Sequence, residues 1–590
     1  MNALGRISLS LWLSAGFAYA QESPQRSAYF GDIHIHTMFS HDAFMGNVRT
    51  TPDDAYRFAK GEAIVHPANK TVRLSGPPLD FLMVSDHAGY LGVFQGFSDP
   101  SSPNYNHPAK DRGYPAIRGL VDGGDPIGGK ALIGDAWAKE IAAAERHNDP
   151  GNFTAFIGYE YTPSRGQRHM HRNVVFRSSN VPELPFSKRE SGDPEELWNW
   201  LDGLRARGIE ALAVPHNMNQ SDGLAFPETT WKGGPITKEF ALKRMRNEPI
   251  AEISQKKGTS EVHPSLSPND EWADFQIVQY FLNRAEQTDP ISIFKGGYWR
   301  DALKTGLKME GTIGANPYQL GAIGSSDSHV SAGSYEEDNL FGNRADTPQS
   351  RSSAYTEEQG SWDGYKTGRS STHGTGGIAG VWAEENTRAS LFDAMRRRET
   401  FGTSGPRMRV RFFGGFDLTD RLAGAADAVS QAYRYGVPMG GVLSDKFKGA
   451  PSFLVWALRD PEAGWLQRAQ VVKGWVEDGE AKERIFDVAC SDGLEPDPKT
   501  NRCPDNGAKV NLEDCSVSRD KGAVQLETVW TDPDFDPNNQ AFYYLRVLEN
   551  PTCRWSTWDA IREGIEPNPV LQKTVQERAW SSPIWYQPGE

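Results

Sequence analysis

The stretch Ala28-Tyr29-Phe30-Gly31-Asp32-Ile33-His34-Ile35-His36-Thr37 governs how this chain is read. It has the apolar character of a strand, and side chains two apart on a strand share one face. His34 and His36 therefore aim two imidazoles at one point. Far downstream, Ser326-Asp327-Ser328-His329 offers a carboxylate and an imidazole with the same spacing. Two such pairs, brought together, are what a metal centre at the mouth of an α/β barrel needs.

Further candidate strands are Phe81 to Val84, Phe153 to Ile157, Ala211 to Val214, Pro249 to Ile253 and Leu320 to Ile323. Helical stretches lie between them: Asp135 to Arg146, Pro194 to Arg207 and Arg388 to Glu399. Asp193 before Pro194 is a helix cap followed by a first-turn proline. The alternation predicts an α/β fold with a mainly parallel sheet or barrel. Polar, glycine-rich inserts at 98–129, 219–234 and 335–377 read as loops decorating the active face.

Most candidate ligands sit where a strand ends: His34 and His36, Asp86 and His87, Glu160, His216, Asp327 and His329, with Glu252 inside a strand. A lone histidine after a strand is ordinarily a packing or surface residue. Recurrence of the arrangement at successive strand ends is what argues for a site on the rim where such folds do chemistry. Imidazole with oxygen donors suits two or three divalent ions of zinc, manganese or iron. His66, His107, His147 and His373 read as surface residues, whereas His41, His169 and His171 lie close to motif positions.

Beyond 407 the helical period weakens. Met408 to Phe413, Phe453 to Leu458 and Phe542 to Val547 are strand-like, giving a β-rich region over 408–590, read as a small sandwich, with a helix near Trp558 to Glu563. All four cysteines, Cys490, Cys503, Cys515 and Cys553, lie there. An even number in an exported chain suggests two disulfides. Chain proximity alone favours Cys490–Cys503 and Cys515–Cys553. Residues 1–20 read as a signal peptide: Arg6, an apolar stretch Leu9 to Phe17, then Ala18-Tyr19-Ala20 as the cleavage rule. Periplasmic or secreted protein is the expectation, with no membrane span.

The chain has 590 residues, 59 Gly, 38 Pro, 38% hydrophobic residues and a net charge of −14. That suits a loop-rich globular protein of more than one packed region. The acidic balance argues against a nucleic-acid partner. No Gly-x-Ser-x-Gly elbow or phosphate-binding glycine loop is present.

The series His34-Ile35-His36, Asp42, Asp86-His87, Glu160, His216 and Asp327-Ser328-His329 resembles the polymerase and histidinol phosphatase (PHP) superfamily of metal-dependent phosphoesterases. More closely, the chain resembles the DUF3604 family. Tyr29 to Thr37, Ser85 to Gly89, His171 to Val174, Lys257 to Pro264, Gly324 to His329 and Arg398 to Arg407 carry that likeness. The resemblance implies a distorted (β/α)7 barrel over 21–407. It implies metal ligands at His34, His36, Asp42, His87, His216, Asp327 and His329, and a bridging carboxylate at Glu160. The pattern departs after the strand of Glu252, where Glu252, Gln255, Glu261 and His263 stand instead; either one of Glu252, Glu261 or His263 substitutes, or the third metal is absent.

The implied activity is hydrolysis of a small phosphate mono- or diester by a metal-held hydroxide. Asp86 would move a proton or orient His87. Arg172 and Arg407 are the candidates for holding the anionic substrate, with Arg165 and Arg168 read as solvated loop charge. Two other expectations stand beside this one. The same ligands could cleave a sulfate ester, amide or lactone, or a degenerate barrel could bind a glycan or partner through its β-rich region. The sequence carries no signal of oligomeric state.

Overall fold

The computed structural model describes residues 26–124, 127–278, 281, 290–342, 373–444, 449–567 and 571–589. The expected signal peptide, residues 1–20, and most of the insert at 335–377 lie outside the described residues. β1 (Ser27–Ile35) runs parallel to β2 (Phe81–Val84), and β2 parallel to β3 (Thr154–Phe156). Gly31 permits that close pairing, because a β carbon there would lie 2.4 Å from Phe81. β4 (Gly158–Tyr161), β5 (Arg172–Phe176) and β6 (Ala211–Pro215) form an antiparallel sheet with β5 in the middle. β7 (Ile250–Gln255) and β8 (Gly321–Gly324) are again parallel. Single parallel bridges, His87 to Glu160 and Ile35 to Ser328, join strand ends from different sheets.

The protein is thus mixed α/β, as expected, and each strand named from the sequence up to residue 324 is present. The strand ladders among the described residues do not by themselves show a (β/α)7 barrel. Two features account for this. The link 162–171 is too short for the crossover that parallel strands need, so β4 and β5 pair as a hairpin. β9 (Ile378–Ala383) also lies antiparallel beside β1 and draws it into a larger mixed sheet.

The helices of this part of the chain include α1 (Tyr114–Asp122), α2 (Gly129–His147), α3 (Pro194–Arg205) and α4 (Arg388–Arg396). α3 starts where expected. The Asp193 carboxylate accepts the Glu195 amide at 2.9 Å, and Leu197, Trp198, Leu201 and Leu204 form its buried stripe. The insert at 98–129, expected as loop, contains α1, whose Ile117 and Val121 are buried.

β10 (Thr400–Thr403) pairs with β9. β11 (Arg409–Gly415), β12 (Ser452–Leu458) and a later strand, Gln525–Thr531, build a separate antiparallel sheet with Val437–Pro438. β13 (Leu466–Glu477) and β14 (Glu480–Cys490) form a long hairpin. β15 (Ala541–Glu549) pairs with β13, and β16 (Arg578–Ser581) joins β15 to β10. One eleven-stranded sheet therefore runs from β3 through β1 into the C-terminal strands. Residues 408–590 contain β11 to β16, and part of this stretch extends the sheet of the earlier strands across residue 407. A helix, Trp555–Glu563, covers the segment expected to be helical. Cys490–Cys503 and Cys515–Cys553 are disulfide-bonded, the pairing favoured by proximity. No helix among the described residues is long and apolar enough to cross a membrane.

Candidate metal centre

His34 lies on β1 and His36 just beyond it, both fully buried, with ring centroids 5.2 Å apart. Their outer nitrogens are anchored. His34 Nδ1 lies 3.0 Å from Glu252 Oε2, and His36 Nδ1 lies 2.9 Å from Ser40 Oγ. Each Nε2 is thereby turned toward the same two carboxylates. His34 Nε2 is 3.5 Å from both Glu160 Oε2 and Asp327 Oδ1; His36 Nε2 is 3.3 Å and 3.5 Å from them.

Glu160, on β4, is the hub. His87 Nδ1 approaches its Oε2 at 3.1 Å, while His171 Nδ1 and His216 Nε2 approach Oε1 at 2.9 Å and 3.3 Å. Asp42, in the short helix His41–Met45, faces His87 Nε2 at 3.4 Å and His329 Nε2 at 2.9 Å. Asp327 holds a left-handed backbone, φ 55°, unusual for a residue with a side chain. That turn presents Oδ1 to His34 and His36 and Oδ2 to the Lys257 ammonium.

Several triplets place one ligand atom each within 4.8 Å of one another: His34, His36 and Glu160; His36, His87 and His329; His34, His216 and Glu252; Glu160, His171 and His216; and His41, Asp42 and His87. Nε2 of His34 and His36, both nitrogens of His216 and Oδ1 of Asp327 are buried without a hydrogen-bond partner. Buried polar atoms are normally paired. Unsatisfied imidazole nitrogens and a carboxylate oxygen aimed at common points fit a divalent cation of the zinc, manganese or iron type.

The charges of the cluster shift one another: against burial, which lowers them, the neighbouring carboxylates raise His34 well above the ordinary imidazole range and His87 to about 10. Burial alone would push Glu160 up, but the His87 and His216 imidazoles outweigh it and hold Glu160 well below the usual carboxylate range. Asp327 is likewise pushed up by burial and held well below by Lys257 and His34. Burial pushes His171 down to about 4, despite the hydrogen bond to Glu160, so its ring stays neutral and able to donate a lone pair.

The eight motif positions His34, His36, Asp42, His87, Glu160, His216, Asp327 and His329 thus lie in one cluster, with Glu252 behind His34. Other expected residues lie elsewhere. Glu261 is held in a buried ionic network by Arg300 at 2.6 Å and Arg546 at 3.2 Å. His263 stacks on Phe294 with ring centroids 3.7 Å apart and bonds Ser265. Arg172 is buried and ion-paired to Glu248 at 2.9 Å, so its guanidinium is not offered to a substrate. Arg407 donates to the carbonyls of Pro77 and Pro78. Asp86 accepts from the amide and hydroxyl of Thr37 and reaches His36 Nδ1 only at 4.0 Å, so it braces the loop after β1.

His66, expected at the surface, is buried with Nε2 2.6 Å from the Gly342 carbonyl. His171 and His41 are ligand candidates left out of the expected set. The His169-x-His171 spacing repeats that of His34 and His36, so the signal was present. Lys257 carried none, because nothing local marks a lysine as the partner of a carboxylate 70 residues away.

A family model described as "Protein of unknown function (DUF3604)" matches residues 23–120 and 121–588. No curated protein matches the chain. A crystal structure from Bacteroides vulgatus, of a two-domain protein containing a predicted PHP-like metal-dependent phosphoesterase, is similar at 10% identity. That likeness covers 98% of this chain and 100% of the other, with a TM-score of 0.30.

Proposed function

The chain belongs to the DUF3604 family, and from the buried imidazole–carboxylate cluster of this member we propose a metal-dependent hydrolase acting on a small phosphate mono- or diester. The observation that carries the reading is the set of buried, unsatisfied donor atoms on His34, His36, His216 and Asp327 that converge around Glu160. His34, His36, His87, His171, His216 and His329 would hold the ions with Asp42, Glu160 and Asp327. Bound divalent cations would make a water acidic enough to attack at neutral pH and would draw charge from the substrate's oxygens.

The chain's own residues supply the rest. Glu252 and Ser40 fix the ring orientations of His34 and His36 through their Nδ1 atoms. Thr162 Oγ1 lies 2.7 Å from His87 Nδ1 and ties that ring to the Glu160 strand. Neutral imidazoles at His171 and His329, both pushed down to about 4 chiefly by burial, keep lone pairs available at neutral pH. We read β1 to β8, closed by the two single bridges, as a distorted barrel of the PHP type with this cluster at its rim. The two disulfides suit an oxidising compartment, which supports export to the periplasm or beyond.

Elemental analysis of purified protein, joined to a panel of phosphate, sulfate and carboxylic esters with and without manganese or zinc, tests the proposal. Metal bound at the cluster with turnover of phosphate esters is the expected result. Protein that takes up no divalent metal would overturn it.

A further inference from the structure

The arginines expected to meet the substrate are committed elsewhere, and the cations that reach the ligand positions are two lysines on one turn. Lys256 and Lys257 form the tip between β7 and the short strand Gly258–Thr259, closed by the pairs Ser254–Thr259 and Gln255–Gly258. Gly258 takes φ 91°, and a β carbon there would lie 2.3 Å from the Gln276 carbonyl, so the turn closes on a glycine. The tip is fixed on both sides. The Lys256 amide donates at 3.4 Å to the carbonyl of Ser326, the residue before Asp327, and the Lys256 carbonyl accepts the Gly374 amide at 2.9 Å. Gln255 Oε1 accepts the Lys257 amide at 3.2 Å, and Asn219 Nδ2 donates to the Lys257 carbonyl at 3.1 Å.

That seat sends both side chains to the Asp327-x-His329 pair. Lys256 Nζ lies 3.5 Å from His329 Nδ1. The Lys257 ammonium bonds Asp327 Oδ2, which Asn217 Nδ2 also approaches at 3.4 Å. The other oxygen, Oδ1, faces Nε2 of His34 and of His36 at 3.5 Å each, so a single carboxylate separates the ammonium from the open nitrogens of the cluster. An ammonium has three N–H donors. Lys257 spends one on Asp327, and its side chain is 14% exposed, so the head is mostly desolvated and still reaches the rim. A cation at Oδ1 would draw charge from Asp327 and loosen its hold on Lys257. A charge in such surroundings is stabilised by a further anion beside it.

We propose that Lys257 is the substrate-binding cation of this centre, donating one N–H to a phosphoryl oxygen of the substrate while another stays on Asp327. The inference rests on the metal-hydrolase reading and narrows it to substrates with a negatively charged phosphoryl group. Lys256, beside His329, adds positive charge to the same side. A neutral amide or lactone gives the Lys257 ammonium nothing to pair with. Lys257 supplies N–H and charge; no proton leaves it.

The test uses inorganic phosphate as probe, measured by calorimetry on wild type, Lys257→Met, Lys257→Gln and Lys257→Arg, each loaded with manganese or zinc and assayed for bound metal. At equal metal content the two neutral variants should bind phosphate at least ~10-fold more weakly, as expected for a lost charge-assisted hydrogen bond. Lys257→Arg should keep part of the affinity. Phosphate binding that falls only in step with lost metal would make Lys257 a support for Asp327 alone and overturns the assignment. So does a neutral variant that holds metal and binds phosphate as tightly as wild type, or a wild type that takes up metal but no phosphate; all three leave the metal reading standing. Wild type without metal overturns both.

Discussion

His34 and His36 show how one residue's chemistry depends on what stands behind it. Each ring has its Nδ1 held, by Glu252 or Ser40, and only Nε2 faces the cluster. Replacing both by Ala should empty the centre, read as loss of bound metal by elemental analysis; unchanged metal content would refute their role. His171→Ala should weaken metal binding by roughly 10- to 100-fold, the size usual for groups supporting a metal site, seen in a competition titration with a chelating dye. His171 Nδ1 sits 2.9 Å from Glu160, so losing that ring also frees the hub carboxylate to turn.

At the scale of elements, the cluster depends on how closely the strands approach. β4 begins at Gly158, where a β carbon would lie 2.1 Å from Met83 Sδ and 2.5 Å from the Val174 carbonyl. The neighbours are a strand backbone and a buried side chain, so neither yields easily. Gly158→Ala should therefore destabilise the fold by about 1–3 kcal/mol, the usual cost of overpacking. A lower midpoint in urea with unchanged slope would show it. Glu160, two residues on, should shift with the strand, so metal affinity is expected to fall with stability. The helix α3 was readable because its cap, first-turn proline and apolar stripe are all local. The pairing of β4 with β5 was not, because strand direction depends on the partner.

Across the whole molecule, the first and last parts share one sheet, and two long-range features report on that union. Glu577, beside Ser404 and Glu337, is pushed up from an ordinary 4.5 to about 8, by burial first and then by the Glu337 carboxylate. The folded state then holds a proton that the unfolded chain releases near 4.5. Its contribution is full below about pH 4.5 and is lost as pH rises toward 8. Glu577→Gln should accordingly gain thermal stability over wild type as pH is raised across that window; a constant difference would contradict it. The disulfides close separations of 13 and 38 residues, worth roughly 3 and 4 kcal/mol in the chain-entropy account. Because β15 shares a sheet with β1, reduction should lower a single unfolding transition, and calorimetry with dithiothreitol would reveal a separate C-terminal transition if the union were weak.

The sequence alone determined the residue types and their local order: two His-x-His or Asp-x-His pairs on strand ends, the cap of α3, the cysteine pairing nearest in the chain. Those are short-range facts, carried by side-chain alternation and by neighbours a few positions away. Only the tertiary structure decided which charges were already taken. Arg172 went to Glu248, Arg407 to two proline carbonyls and Glu261 to Arg300 and Arg546, while His171 was left at the centre. A charged group pairs with whatever the folded chain brings within a few ångströms, and that proximity is a property of the packed molecule.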